Sequence, residues 1–513
     1  MSKKDSNLIY RIRKITIDKG NPLYSYCETV TSLANNLHNV VRFRQRQVLT
    51  AVTKDSSEWT ENESAIMDEI TNAIPEMGSS YKIPTAKKSF LSYSFLDKLL
   101  KITKNPDYYA EGMPRQSAQQ TIKACVSDME NFYKAVSSYK VNPGSFTGKP
   151  VLPGYSRKGA RHTATLTNQD CVIHYSDENS LVKLPLTKLK LDIGYIESKA
   201  VLKEIKIIPN NNTFIMSVCL QYEHEQKLIS DVPSRIVSID FGVDNLMAVT
   251  NNCELPCILY KGGCLKSVNR LYNKKIAAIV SKQTINTTNK FIPTDEYYRI
   301  TNYRNDYMND VLHKTAKHFV LWCVENRIDT IVLGDNKLWK QDVHIGSVNN
   351  QNFVQIPHSL LKSMIKYLAE YHGIRIVHQE ESYTSKASFL DFDDIPTYDP
   401  SEEKHYSFSG RRRPSSYKGI YKKDGFRGLY QSKDGTIINS DLNGSANILR
   451  KAFPSAFDDL INNSKNPVDF SNVIIIKHVD YEKAKLNKEV QLKKNISSKL
   501  KEKRKRRKLQ NEV

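Results

Sequence analysis

The spacing of apolar residues changes character several times along the chain, and each change marks a boundary. From Leu8 to Ile17 apolar and polar residues roughly alternate, the period of a strand with one covered face. From Thr31 the interval lengthens, and Leu33, Leu37, Val40, Val41 and Val48 recur at helical spacing. Helical spacing continues through SFLDKLLKI and SAQQTIKACVSDMENFYKAV, where Ile122, Val126, Met129, Phe132 and Tyr133 share a face behind Pro114. Pro, Gly and basic residues in VNPGSFTGKPVLPGYSRKGAR interrupt the pattern, and residues 162–222 read as short strands such as VLKEIKII and TFIMSVCLQYE. These strands are expected to complete the sheet begun at the start of the chain.

A second unit opens near Pro233. SRIVSIDFG, LMAVTN and CILYKG follow one another at the spacing of a three-stranded meander. A long polar helical stretch then runs to about Asn326, interrupted between Thr284 and Pro293. IDTIVLG is a fourth strand, SLLKSMIKYLAEYHG an amphipathic helix and IRIVHQE a fifth strand. A meander followed by alternating helices and strands is the RNase H-like order. Between Phe389 and Lys433 the pattern dissolves into Asp, Pro, Tyr, Gly and Arg, an insertion of turns and short strands. Helical signal resumes at SDLNGSANILRKAF, and KLKEKRKRRKLQNEV reads as a charged, solvated tail.

Length and charge sharpen this picture. A chain of 513 residues exceeds what one hydrophobic core organises, so several domains are expected. Its 76 Lys and Arg against 55 Asp and Glu leave a net charge of +21, which makes a polyanion, foremost nucleic acid, the expected partner. The opening MSKKDSNLIYRIRKITIDKG lacks the apolar stretch of a signal peptide, and no run of about 18 apolar residues occurs anywhere. The expectation is a bacterial cytoplasmic, nucleoid-associated protein that spans no membrane. Eight cysteines in so long a chain suit a reducing compartment. Cys253, Cys257 and Cys264 lack a matching second pair of ligands and are read as small hydrophobes, not a zinc site.

An RNase H-like site hydrolyses phosphodiesters with acids that gather two divalent ions about 3.5–4 Å apart, so carboxylates must converge at one end of the sheet. Asp240 lies in the first core strand, where Gly242 lets backbone and substrate come close and the next strand follows at hairpin distance; the competing reading is an aspartate capping a hairpin. Asp244 fits that turn role better. Asp441 opens the last helix, where an ordinary N-cap is the alternative. The end of the fourth strand, the usual place for a glutamate, reads IVLGDN: Gly334 has no side chain, and Asp335 points to the other face by the pleat. The neighbouring strand ends in HQEESYTSK, and strands lie only about 4.8 Å apart, so a glutamate there reaches the same place. Glu381 is preferred, then Glu380, then Asp335.

With these residues in place, the chain resembles the TnpB proteins of bacterial insertion sequences, which are akin to type V CRISPR effectors and to the eukaryotic Fanzor proteins. LANNLHNVVRFRQRQ is similar to the family's first recognition helix, with Asn39, Arg46 and Gln47 in matching places. MPRQSAQQTIKACVSDMENFYKAV is similar to a later helix, with Ala118, Gln119 and Gln120. SIDFGVDNLMAV, GDNKLWKQ, QNFVQIPH, EESYTSKASFLD and NSDLNGSANILRK follow in the family's order. By this resemblance Asp240 and Asp441 fall on the first and third catalytic acids. Glu381, five residues before Lys386, falls on the relocated second acid of the Fanzor-like branch. Where members commonly carry a zinc finger, Ala387 stands at the first cysteine position, so zinc is not implied; Arg411, Arg412 and Arg413 are the insertion's candidate contacts to nucleic acid.

The resemblance implies a bilobed, multidomain α+β protein. It divides into a β-rich wedge domain at 1–25 and 146–232, a helical recognition lobe at 26–145, and an RNase H-like (RuvC) α/β core at 233–386 and 436–480. A target-binding insertion at 387–435 and a basic tail at 481–513 complete it. The implied activity is RNA-guided DNA endonuclease, dependent on Mg²⁺ with Mn²⁺ able to substitute, with guide RNA and double-stranded target DNA as partners and a monomer as the expected state. A compact type V CRISPR effector shares every motif, and a guided DNA-binding regulator that does not cleave is the reading from another class.

Overall fold

The computed structural model describes residues 8–197, 199–223, 232–284, 290–335, 356–398, 406–412, 428–462 and 467–479. The chain divides into two compact units, 1–225 and 226–513. In the first, strand β1 (Leu8–Ile17) is followed by helices α1 (Tyr24–Ala51), α2 (Glu61–Met77), α3 (Tyr93–Ile102) and α4 (Arg115–Val141). Strands β2 (Ala164–Thr167), β3 (Val172–His174), β4 (Leu181–Lys183), β5 (Lys190–Asp192), β6 (Val201–Asn210) and β7 (Thr213–Glu223) come after. The first strand pairs antiparallel with the last, Leu8 opposite Glu223 and Ile17 opposite Phe214, in a sheet ordered β1-β7-β6-β2. Strands β3, β4 and β5 form a separate small sheet.

The helical spacing from Thr31 translates into burial: Ala34, Leu37, Val41 and Val48 of α1 and Ala118, Ile122 and Cys125 of α4 lie in one core. The buried Arg42 of α1 crosses to Asp128 of α4 at 2.7 Å, so an ion pair ties the two helices. Helix α2 was not among the expected helices, although Ile66, Ile70, Ala73 and Met77 recur at helical spacing and are buried. Its start is also written in the sequence as a capping box, with Thr60 and Glu63 each bonding the other's backbone.

The second unit contains β8 (Ile236–Asp240), β9 (Asn245–Asn251), β10 (Cys257–Lys261), α5 (Gly263–Thr284), α6 (Asp295–Glu325), β11 (Thr330–Asp335), α7 (His358–His372) and β12 (Arg375–Glu380). Then come β13 (Arg411–Arg412), β14 (Leu429–Gln431), β15 (Ile437–Asn439), α8 (Ser440–Ala452), α9 (Asp458–Asn462) and β16 (Val473–Ile476). The central sheet is mixed and six-stranded, ordered β12-β11-β8-β9-β10-β16. Strands β8, β9 and β10 form the antiparallel meander, whereas β11 and β12 join in parallel beside β8. Strand β16, parallel to β10, was not among the expected strands.

Alternation sorts the sheet's residues between two cores. Val237, Ile239, Ile331 and Leu333 pack with Leu312 and Phe319 of α6 and Leu361 and Ile365 of α7. Ile236, Ala248 and Val332 pack on the other face with Leu442, Ala446, Ile448 and Leu449 of α8. Among the described residues no helix is long and apolar enough to cross a membrane.

Candidate active site

The acidic centre is built where β8 and β11 end beneath α8. Since Ile236 faces α8, the two-residue period puts Ser238 and Asp240 on the same face. A buried hydroxyl cluster fixes the packing: Ser238 Oγ donates to the Ser445 carbonyl at 2.7 Å, and Ser445 Oγ donates to the Ser238 carbonyl at 3.0 Å. Gly444 brings the helix close, for a Cβ there would sit 2.7 Å from Asp240 Oδ2. At Gly242, just beyond Asp240, a Cβ would come within 2.8 Å of the Asn245 carbonyl oxygen, the close approach for which glycine is needed.

Asp441 does not cap its helix. Asn439 is the N-cap, its side-chain oxygen accepting the N–H groups of Asp441 at 3.0 Å and Leu442 at 3.2 Å. The Asp441 carboxylate is thereby left for the site, where it accepts from Asn245 Nδ2 at 2.7 Å and pairs with Arg412 at 3.0 Å. Lys261 orients that asparagine, donating to Asn245 Oδ1 at 2.6 Å.

The other acids separate cleanly. Glu381 follows the last residue of β12, and its Oε2 lies only 2.5 Å from where a Cβ on Gly334 would be. Its carboxylate thus fills the space that a side chain at the end of β11 would otherwise take. Asp335 faces away, paired with Lys362 at 3.3 Å and with His378 at 3.4 Å. Glu380 is held by Lys451 at 2.7 Å and by the Ser382 N–H at 2.6 Å. Asp244 is exposed and paired with Lys266.

Burial, followed by the charges of Asp441 and Glu381, raises Asp240 well above the usual carboxylate range, against the opposing pull of Arg412 and Lys362. Burial also raises Glu381; Lys362 opposes this, and Asp335 and Glu380 add to it. Burial acts in the same direction on Glu380, but the bonds from Lys451 and Ser382 outweigh it and hold that group low. Asp240 and Glu381 are thus pushed up while Glu380, bonded to Lys451 and Ser382, is held down. An all-carboxylate donor set of this kind fits a hard divalent cation. As the side chains lie, with Arg412 on Asp441, no group of three or more His, Cys, Asp or Glu among the described residues forms a ready-made metal cage.

The other expected contacts to nucleic acid scatter. Asn39 exchanges hydrogen bonds with the backbone of Ser156, at 3.0 and 2.9 Å, and Arg46 donates to the Pro153 carbonyl at 3.0 Å, so both pin the basic link onto α1. Gln47, Gln119 and Gln120 are half-buried. Lys386 is exposed, its ammonium 5.5 Å from the Tyr383 ring centre. Arg411 and Arg412 are exposed on β13, and Arg412 reaches the acidic centre. Arg413 lies outside the described residues, as do the tail and most of GDNKLWKQ and QNFVQIPH. Sequence reading missed Asn245, Lys362 and Gly444. Two asparagines inside a helix, Asn443 and Asn447, were a signal that it left unused.

The chain is thus an α+β protein with one mixed, six-stranded sheet among antiparallel ones and an acidic centre at one end of it. Residues 218–340, which include β8 to β11 and Asp240, match the family model OrfB_IS605, described as a probable transposase. The TnpB resemblance read from the motifs and this match agree over that segment. No curated protein matches the chain. Among solved structures it is similar to the Cas12f1–sgRNA–target DNA complex, with 11% identity over 86% of this chain and 99% of that one and a TM-score of 0.45. It is also similar to the AacC2c1–sgRNA binary complex, with 8% identity over 86% and 89% and a TM-score of 0.43. CasPhi-2 bound to crRNA gives 9% identity over 86% and 98% and a TM-score of 0.30.

Proposed function

We propose that this chain is an RNA-guided, divalent-metal-dependent DNA endonuclease of the TnpB kind, with Asp240, Glu381 and Asp441 as its catalytic, metal-holding acids. The observation that carries the reading is the Glu381 carboxylate lying in the side-chain space of Gly334, in electrostatic contact with Asp240 and under the helix that carries Asp441. A glycine at the strand end and a glutamate one strand over together supply a third acid. Bound Mg²⁺, or Mn²⁺ in its place, would supply water activation and stabilisation of the leaving oxygen. The chain's own work is to hold three half-buried carboxylates at one end of the sheet, with Arg412 and Lys362 offsetting their charge before the ions arrive.

In this reading 1–25 and 146–232 form the wedge, 26–145 the recognition lobe, 233–386 and 436–480 the nuclease core, and 387–435 the target-binding insertion. Guide RNA and double-stranded target DNA are the partners, which suits the net charge of +21. A guided binder that does not cleave is the second reading, favoured by the ion pair between Arg412 and Asp441.

The test is single-turnover cleavage of a matched plasmid by purified protein bearing its RNA, beside target binding on the same preparations. Asp240→Ala, Asp441→Ala and Glu381→Gln should each lose cleavage by orders of magnitude and keep binding. Glu380→Gln and Asp335→Asn should cost far less. An active Glu381→Gln with an inactive Glu380→Gln would move the third acid by one residue. Binding without cleavage in the unaltered protein across Mg²⁺ and Mn²⁺ concentrations would favour the second reading.

A further inference from the structure

Glu381 stands just past the end of β12, outside the backbone ladder that fixes Asp240 within β8. Something other than the sheet must hold it over Gly334. Two side chains of α8 meet that need, both buried completely: Asn443 and Asn447, four residues apart and therefore on one helix face. Asn443 Oδ1 accepts the Phe389 N–H at 3.0 Å, and its Nδ2 donates to the Ala387 carbonyl at 2.8 Å. Asn447 Nδ2 donates to the same carbonyl at 2.8 Å and to the Thr384 carbonyl at 2.9 Å. Thr384 in turn donates through Oγ1 to the carbonyl of Glu381 at 2.8 Å. An unbroken series of hydrogen bonds runs from the helix that carries Asp441 to the backbone of Glu381.

Asparagine is a poor choice for a helix interior on local grounds, because its side chain competes for the backbone. It serves here because one amide carries both a donor and an acceptor, whereas aspartate could not donate to a carbonyl and leucine could do neither. Without the amides, the carbonyls of Thr384 and Ala387 would be stranded beneath α8, at the usual cost of an unmet buried polar group.

We propose that Asn443 and Asn447 are positioning residues, a two-amide clamp that holds the 381–389 segment against α8 and so places the Glu381 carboxylate in the space left by Gly334. The inference rests on Glu381 being the third metal-holding acid. It assigns to α8 two tasks: presenting Asp441, and aligning an acid that belongs to another element.

The test uses the full chain with its guide RNA, in single-turnover cleavage over a range of Mg²⁺ concentrations. Asn447→Ala should slow cleavage by about 10–100-fold, as loss of a group supporting a metal ligand does, and raise the Mg²⁺ needed for half-maximal rate, with target binding unchanged. Asn443→Ala should do the same more mildly, since Ala387 keeps its bond from Asn447. The milder Asn447→Ser, which retains a donor, should fall between parent and Asn447→Ala, and it serves if the alanine variant does not fold. The decisive comparison is the pair Glu381→Gln and Glu381→Gln/Asn447→Ala. A clamp acting through Glu381 leaves the double variant no slower than the single one. Losses that multiply, or an Asn447→Ala rate loss at unchanged Mg²⁺ requirement, would overturn the clamp and leave a purely structural asparagine. Full activity in Glu381→Gln would remove the acid itself, and with it the clamp's purpose.

Discussion

At the scale of single residues, the centre depends on groups that are missing as much as on those present. Gly444 sits mid-helix, where glycine costs about 1 kcal/mol relative to alanine, yet a methyl group there would meet Asp240 Oδ2 at 2.7 Å. Local propensity and site geometry therefore pull in opposite directions. Gly444→Ala should leave the melting temperature unchanged or raised, while cleavage falls at least tenfold and target binding persists. A variant that cleaves at the parent rate would mean that Asp240 is free to move without consequence. Gly334→Ala is the stricter case, because its Cβ would press on Glu381 Oε2 at 2.5 Å and on Ile448 Cδ1 at 2.8 Å. It should both destabilise the protein and abolish cleavage. That Glu381 and Glu380 would part to different surroundings was legible from the two-residue strand period, while the preference for Glu381 came from the motif around it. The partners that occupy the rejected acids, Lys451 for Glu380 and Lys362 for Asp335, were not legible, because each comes from an element distant in sequence.

At the scale of elements, α8 is the piece on which the site turns. Its N-cap is Asn439 and not Asp441, which leaves the Asp441 carboxylate to the acidic centre. Asn439→Ala should lower stability by about 1 kcal/mol, the usual loss for a removed cap, read as a shift of the unfolding midpoint. It should also slow cleavage, since the backbone of Asp441 loses its anchor. Asn439→Asp, an equally good cap, should restore the stability. Equal midpoints for parent and Asn439→Ala would show that the packing of Leu442, Ala446 and Leu449 alone holds the helix start. The sequence announced this helix through its apolar face but suggested the wrong cap, because Asn439 and Asp441 are both good capping types and two residues apart. Helix α2 shows the converse: a capping box precedes Ile66, Ile70, Ala73 and Met77 at helical spacing, so both signals were local and legible, yet the sequence reading passed over them.

At the scale of the whole molecule, the net charge of +21 sets how the chain meets a polyanion. If the guide RNA contacts about six or more phosphates, affinity should fall by about a thousandfold between 50 and 200 mM salt through counterion release. The measurement is equilibrium binding of the guide RNA across that range, and a flat response would exclude an electrostatic interface.

The sequence by itself determined most of the strands and helices in both units, the polyanionic bias and the acids available to a centre, because these follow from period, charge and residue type, which are local properties. It did not determine that β16 would close the far edge of the sheet beside β10, for a strand of four residues carries too weak a period to stand out. Nor did it determine that Arg412 would reach Asp441, or that two helical asparagines would hold the segment after Glu381. Those facts join residues 29 to 63 positions apart, and such pairings are fixed only when the hydrophobic faces of the sheet and α8 close on each other. Chemistry at this site was written locally, and its alignment was decided by packing.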